Sequence, residues 1–175
     1  QSALDEGVTL FDTANGYAAG ESEELLGKGL GNRRHDVVIA TKFGMSTGEG
    51  PYAAGGSRRH VMREVEMSLR RLGTDYIDLY QLPLPDPTTP IEETLEALDT
   101  LVQRGDVRYI GSSNFTGWEI AHSDWTARSR QLSRFISTQA EWSLLNRDAE
   151  KEIIPACEQF GVGLLPYFPL ASGFL

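Results

Sequence analysis

The sequence predicts an α/β protein built on a parallel sheet, with about six strands alternating with helices. Three observations carry this. Short apolar or β-branched runs recur at roughly 30-residue intervals, the size of a strand–helix–strand unit. The runs are nearly continuous rather than alternating, as expected of parallel strands buried on both faces. Between them lie amphipathic segments with helix-start residues at their heads.

The expected strands are Val8–Phe11, Val37–Ala40, Tyr76–Tyr80, Val107–Ile110, Phe135–Gln139 and Val162–Leu165. The chain opens on Gln1–Glu6, which reads as the last turn of a helix closed by Gly7. Glu21–Leu30 places Leu25, Leu26 and Leu30 on one side of a helix. Ser57 caps a helix to Leu72 that carries Val61, Val65, Leu69 and Leu72 at helical spacing. Thr89–Glu92 reads as a capping box with Pro90 at the first helical position, followed by an apolar stripe of Ile91, Leu95, Leu98 and Val102. Thr116–Glu119 reads as a second capping box. Beyond it, Ser123–Arg130 is polar and weakly patterned, which predicts a short or irregular helix. Asp148–Phe160 reads as the last helix, kinked at Pro155 and closed by Gly161. Periodicity leaves a barrel and a doubly wound sheet both open. Gly27-Lys28-Gly29 falls inside a helix pattern, so it does not support a dinucleotide-binding fingerprint.

Composition narrows the function. Hydrophobic residues make up 40% and charged residues 23%, a globular balance. A net charge of −9 repels phosphate backbones, so no nucleic-acid partner is expected. The arginine pairs at 33–34, 58–59 and 70–71 are scattered among acids and read as solvated faces. The one cysteine, Cys157, has no disulfide partner, and no metal-ligand spacing is present. No apolar run is long enough for a membrane span, and no signal peptide opens the chain. A cytoplasmic setting is expected.

Polar, reactive residues gather where the strands end. Asp12 and Tyr17 follow the first, Lys42 ends the second, and Ser112, Ser113 and Asn114 end the fourth. Gln139 and Glu141 end the fifth, and Tyr167 follows the sixth. In a parallel barrel these ends share one face, where active sites are built.

Those residues lie in a recognisable order. Asp12-Thr13-Ala14-Asn15-Gly16-Tyr17, Glu24–Lys28, Thr41-Lys42, Leu69–Gln81, Tyr109–Phe115 and Gln139–Trp142 together resemble the aldo-keto reductase family over essentially the whole chain. The resemblance implies a partial TIM-type (β/α) barrel: residues 1–175 would form one incomplete barrel domain lacking the first strand and the C-terminal segment. It also implies NADPH-dependent reduction of aldehydes or ketones. Tyr17 would be the general acid, Lys42 would supply a cation that favours its phenolate, and Asp12 would hold Lys42 charged and in place. Ser113, Asn114 and Gln139 would grip the nicotinamide carboxamide of NADP(H), and Tyr167 would stack on its ring. Leu170 would belong to the pyrophosphate loop, Pro169–Gly173. The substrate would be a small carbonyl compound, with no metal.

The chain departs from the family's pattern in three ways. Pro83 stands where the family has its histidine, two residues after Gln81, and proline has no donor to polarise a carbonyl. A positioned acid–base partner contributes about 10²–10⁴-fold, so a loss of that order is expected. His35, His60 and His122 read as surface residues and do not replace it. Phe168 stands where the family has a serine near the pyrophosphate. The third departure is the incomplete barrel, which exposes two strand edges. The chain would then rearrange into a smaller closed barrel, or form a homo-oligomer through those edges. Glycine-rich Met45–Gly56 is expected to be a mobile substrate loop. The alternative function is a non-catalytic barrel-like fold of the same ancestry with weak or no cofactor binding. An isomerase or lyase on the same fold class is a more distant alternative.

Overall fold

The computed structural model describes residues 2–50 and 52–175. Gln1 of the expected opening helix and Pro51 of the expected loop lie outside the described residues.

Six parallel strands alternate with helices in one sheet, ordered β1 to β6 along the chain. The elements are α1 (Ser2–Asp5), β1 (Leu10–Asp12), α2 (Glu21–Leu30), β2 (Val38–Lys42), α3 (Arg58–Leu72), β3 (Ile77–Leu82), α4 (Ile91–Arg104), β4 (Val107–Ser113), α5 (Gly117–Arg130), β5 (Phe135–Glu141), α6 (Ile153–Phe160) and β6 (Gly163–Tyr167). All six expected strands are present, but each extends further toward its C-terminal end than its apolar run. Lys42, Ser113, Glu141 and Tyr167 are strand residues. Polar side chains end an apolar run, yet their backbones go on pairing.

The helices cover one face of the sheet and bury the main core, in which Ile39, Phe43, Tyr80, Leu95, Leu98 and Leu101 are inaccessible to solvent. Phe43 and Tyr80 stack at 4.6 Å between ring centroids. The other face is concave. Asp12 on β1 and Gln139 on β5 are hydrogen-bonded at 2.9 Å, although a flat sheet would set those strands roughly 19 Å apart. The sheet is therefore a curled half-barrel. It is not the smaller closed barrel that the sequence also allowed: among the described residues, β1 pairs only with β2 and β6 only with β5. Closing six strands requires a different tilt and stagger from eight, and the observed register leaves the sheet open.

Several local expectations are corrected. α5 is a regular 14-residue helix. Its polar residues Ser123, Asp124 and Thr126 face inward, which blurs the apolar stripe. Ser123 Oγ donates to the Glu119 carbonyl, and Asp124 takes Arg128 and Arg134. The box at its head is real: Glu119 N–H donates to Thr116 Oγ1, and Thr116 N–H to Glu119 Oε2. No such box opens α4. Pro90 is its N-cap, and the Glu93 carboxylate accepts the Arg58 N–H instead. The last helix is broken at Glu152, not kinked at Pro155. Pro155 stands in the first turn of α6, where a missing N–H costs nothing. His60 is fully buried under the 45–56 loop, its Nδ1 3.1 Å from the Tyr52 carbonyl. Two arginines expected in solvent are drawn in: Arg34 pairs with Asp78 at 2.8 Å, and Arg71 with the fully buried Glu23 at 2.6 Å.

The 45–56 loop is fastened at its end. Asp86 accepts from the Gly56 N–H at 2.8 Å and from the Thr88 N–H at 2.8 Å. Burial alone would raise its carboxyl. Hydrogen bonds from Thr88, Gly56 and Thr89 outweigh burial and hold it at about 2, below the ordinary 3.8. No helix of the described residues is long and apolar enough to cross a membrane.

Two predictions follow from this packing. A Cβ at Gly27 would stand 2.3 Å from the Leu72 carbonyl oxygen, whereas one at Gly29 meets nothing within 4 Å. Gly27→Ala should therefore destabilise the fold by about 1–3 kcal/mol, and Gly29→Ala should stabilise it by about 0.5–1 kcal/mol, both read from urea midpoints. The depressed Asp86 carboxyl contributes stability above its ordinary value and loses it as pH falls toward 2. The protection of the Gly56 amide against exchange, relative to an unfolded chain at the same pH, should fall between about pH 5 and pH 2, and Asp86→Asn should flatten that dependence.

Candidate active site

The concave face presents one layer of polar side chains at the C-terminal ends of the strands. Asp12 is its hub. Lys42 Nζ donates to Asp12 Oδ2 in an ion pair, and also to the Thr13 carbonyl at 3.3 Å. Gln139 Nε2 and Gln81 Nε2 both donate to Asp12 Oδ1, at 2.9 and 3.1 Å. A carboxylate only accepts, which fixes both amide orientations. Lys42, Gln81 and Gln139 are all buried, while the Asp12 side chain is 37% exposed.

Tyr17 is brought to this layer by the turn after β1. The chain leaving β1 keeps pairing with β2: Thr13 N–H donates to the Ala40 carbonyl and Asn15 N–H to that of Lys42. The Asn15 side chain then anchors the turn by donating to buried Glu64 on α3 at 3.0 Å. Burial alone would raise Glu64, but hydrogen bonds from Asn15, Arg63 and Thr47 hold it below its ordinary value, so it accepts as a carboxylate. Tyr17 ends up with its ring centroid 5.3 Å from Lys42 Nζ and the side chain open to solvent. Ala18 and Ala19 follow in left-handed conformation, at φ 48° and 54°. Consecutive left-handed alanines cost roughly 1–2 kcal/mol each, and such strain concentrates at functional sites. The structure thus brings Asp12, Tyr17 and Lys42 together.

The remaining expected residues form a second group beside the first. Ser113 is buried at the tip of β4. Asn114 follows in left-handed conformation, at φ 58°, which asparagine tolerates better than most residues. Its Nδ2 donates to the Pro83 carbonyl at 2.9 Å and to Ser113 Oγ at 3.1 Å. Its Oδ1 accepts from the Tyr167 hydroxyl at 2.7 Å. Burial, and then the Glu141 charge, push the Tyr167 phenol above its ordinary value, so it stays a donor. The Tyr167 ring meets Phe168 edge-on. Leu170 is exposed on the loop beyond β6. Pro83 therefore contributes a backbone acceptor to Asn114 and no donor to the face.

Gln81 closes the Leu69–Gln81 motif, and the sequence alone gives it no role. The signal was available: two residues before Pro83 on β3, it is the register partner of Lys42.

A cleft of 560 Å³ between Arg34, Leu69, Arg70 and Gly73 shares no residue with this layer. A 490 Å³ cleft adjoins the Tyr17 turn, between Asn15, Gly16, Thr47 and Met67.

The family model described as Aldo/keto reductase family matches residues 1–175. Uncharacterized oxidoreductase YrpG of Bacillus subtilis is 42% identical, over 99% of this chain and 56% of its own length. Probable aldo-keto reductase 1 of Glycine max is also 42% identical, over 98% and 49%. Aldo-keto reductase AMT2 of Alternaria alternata is 39% identical, over 100% and 55%. The chain thus spans about half the length of the curated relatives it matches. With that match along its whole length and the half-barrel fold, the chain belongs to the aldo/keto reductase family.

Proposed function

We propose that this chain carries the acid–base centre and the nicotinamide end of the cofactor site of an NADPH-dependent reductase acting on aldehydes or ketones. The observation that carries the reading is the convergence of Tyr17, Lys42 and Asp12 on one face, with Lys42 paired to the carboxylate and close to the Tyr17 ring.

Tyr17 donates its phenolic proton to the carbonyl oxygen of the substrate, which becomes a hydroxyl. The negative charge left on the phenol would be offset by the Lys42 ammonium, whose Nζ stands 5.3 Å from the ring centroid. A fixed cation aimed at developing charge lowers the barrier without reorganisation during the reaction. Asp12 keeps Lys42 protonated and in place through their ion pair. Ser113, Asn114 and Gln139 offer a hydroxyl and two amides, a donor set that matches the donor and acceptor of a carboxamide. These residues, with the Tyr167 ring as a stacking face, would hold the nicotinamide of NADP(H), whose contribution is the hydride. Leu170 lies in the loop assigned to the pyrophosphate.

Pro83 favours a second reading, a fold of the same ancestry without turnover. It removes the side-chain donor that would share the carbonyl oxygen with Tyr17. The two readings separate on activity. If the first holds, NADPH oxidation with a panel of aldehydes is detectable and Tyr17→Phe lowers kcat by about 10²–10⁴-fold, while NADPH affinity by fluorescence titration is unchanged. Pro83→His should raise kcat by about 10²-fold, since the backbone carbonyl that Asn114 uses remains. No turnover in either the parent or Pro83→His, together with no NADPH binding, would leave only the non-catalytic fold.

A further inference from the structure

We propose that Gln81 is a positioning residue of this centre. Together with Gln139 it clamps one oxygen of Asp12, so that the other stays on Lys42. The proposal rests on the reductase reading only in its account of what happens when cofactor binds.

Asp12 is poorly placed to hold Lys42 unaided. It ends an edge strand, and its side chain is 37% exposed on the open concave face. An exposed carboxylate in a lone ion pair keeps rotamer freedom and gains little from the pairing. Two amides on Oδ1, one from β3 and one from β5, remove that freedom by fixing the carboxylate plane. Charge-assisted bonds of this type are about twice as strong as neutral ones.

Gln81 is the firmer of the two anchors. It sits in an interior strand and is inaccessible to solvent. Its neighbour on β4 is Gly111, where a Cβ would come 3.3 Å from Gln81 Cγ and 2.8 Å from Ser137 Oγ. The missing methyl leaves room for the glutamine to lie across the sheet.

The hydrogen bonding of this residue is one-sided. With Nε2 committed to Asp12, Gln81 Oε1 is buried without a partner. An unmet buried acceptor is destabilising, and an apolar side chain of the same size would remove the penalty. What the amide provides in return is the orientation of Asp12.

The two glutamines then divide the work. Gln139 belongs to the set proposed for the carboxamide, so cofactor competes with Asp12 for its amide. Gln81 is outside that set and keeps its bond. The clamp uses both amides in the free protein and Gln81 alone when cofactor is bound.

The test follows the water exchange of the Lys42 ammonium protons in the ¹⁵N-lysine-labelled chain, assigned with Lys42→Arg. It needs neither turnover nor cofactor. Gln81→Leu should speed this exchange about tenfold, and the double variant with Gln139→Leu should exchange faster than either single variant. The melting temperature of Gln81→Leu should hold or rise. Gln81→Glu should restore slow exchange while its acid is protonated and can donate, and lose it on ionisation beside Asp12. Gln81→Met serves if the leucine variant misfolds. Parent-like exchange in the apolar variants, or a double variant no faster than Gln139→Leu alone, would overturn the proposal. Fast exchange in the variants of a chain that reduces no carbonyl would remove the reductase reading and leave the clamp standing.

Discussion

The carboxylate of Asp12 is the point on which the concave face depends. It stands at the tip of an edge strand, yet it receives donors from β2, β3 and β5. That is possible only because the sheet curls, since flat strands would hold these groups too far apart to touch. Curl and convergence support each other. Twist and the helices on the outer face bend the sheet, and the charge-assisted bonds on the inner face link strands that are not neighbours. An uncompensated lysine in this place would be costly to bury. The Asp12 carboxylate opposite it offsets that cost at the mouth of the half-barrel.

The outer layer matters to the site as much as the strand tips do. Glu23 and Glu64 are buried carboxylates on α2 and α3. Glu23 accepts from Thr41 on β2 and from Arg71 on α3, which ties the first two helices to the strand that carries Lys42. Glu64 holds Asn15 and Thr47, one in the Tyr17 turn and one in the neighbouring loop. The left-handed pair Ala18–Ala19 lies between these anchors, followed by Gly20, whose absent Cβ makes room for Arg71. Strain of this kind persists only where the surroundings over-determine the conformation. The position of the phenol is thus fixed from behind, by polar groups that never reach the concave face.

Pro83 changes the character of the neighbouring site. Its carbonyl takes the Asn114 amide, and Asn114 in turn takes the Tyr167 hydroxyl. β3, β4 and β6 are joined there by a chain of hydrogen bonds through one asparagine. A histidine at this place would have added a donor from the face itself. Proline leaves the backbone connection intact and takes away the side-chain chemistry.

The sequence by itself determined the class, the six strands and which residue types stand at the strand tips, because parallel strands are written as contiguous apolar runs and the family's motifs sit at their ends. It also marked the Thr116 box and the α2 boundaries, since capping and glycine stops are local. Only the tertiary structure decided where polar residues go when their partners are far away in the chain. Arg34, Arg71 and His60 read as surface residues and are drawn inward by Asp78, Glu23 and the Tyr52 carbonyl. α5 reads as irregular because its inward side chains are polar, and it is regular because those groups find partners on itself and on the loop that leads into β5. Gln81 looked like one more letter of a motif until the curl of the sheet placed its amide against Asp12, 69 residues earlier in the chain. Hydrophobic periodicity records which face a residue turns to the core. It does not record which buried polar group another one will meet, and that pairing is set by the three-dimensional path of the backbone.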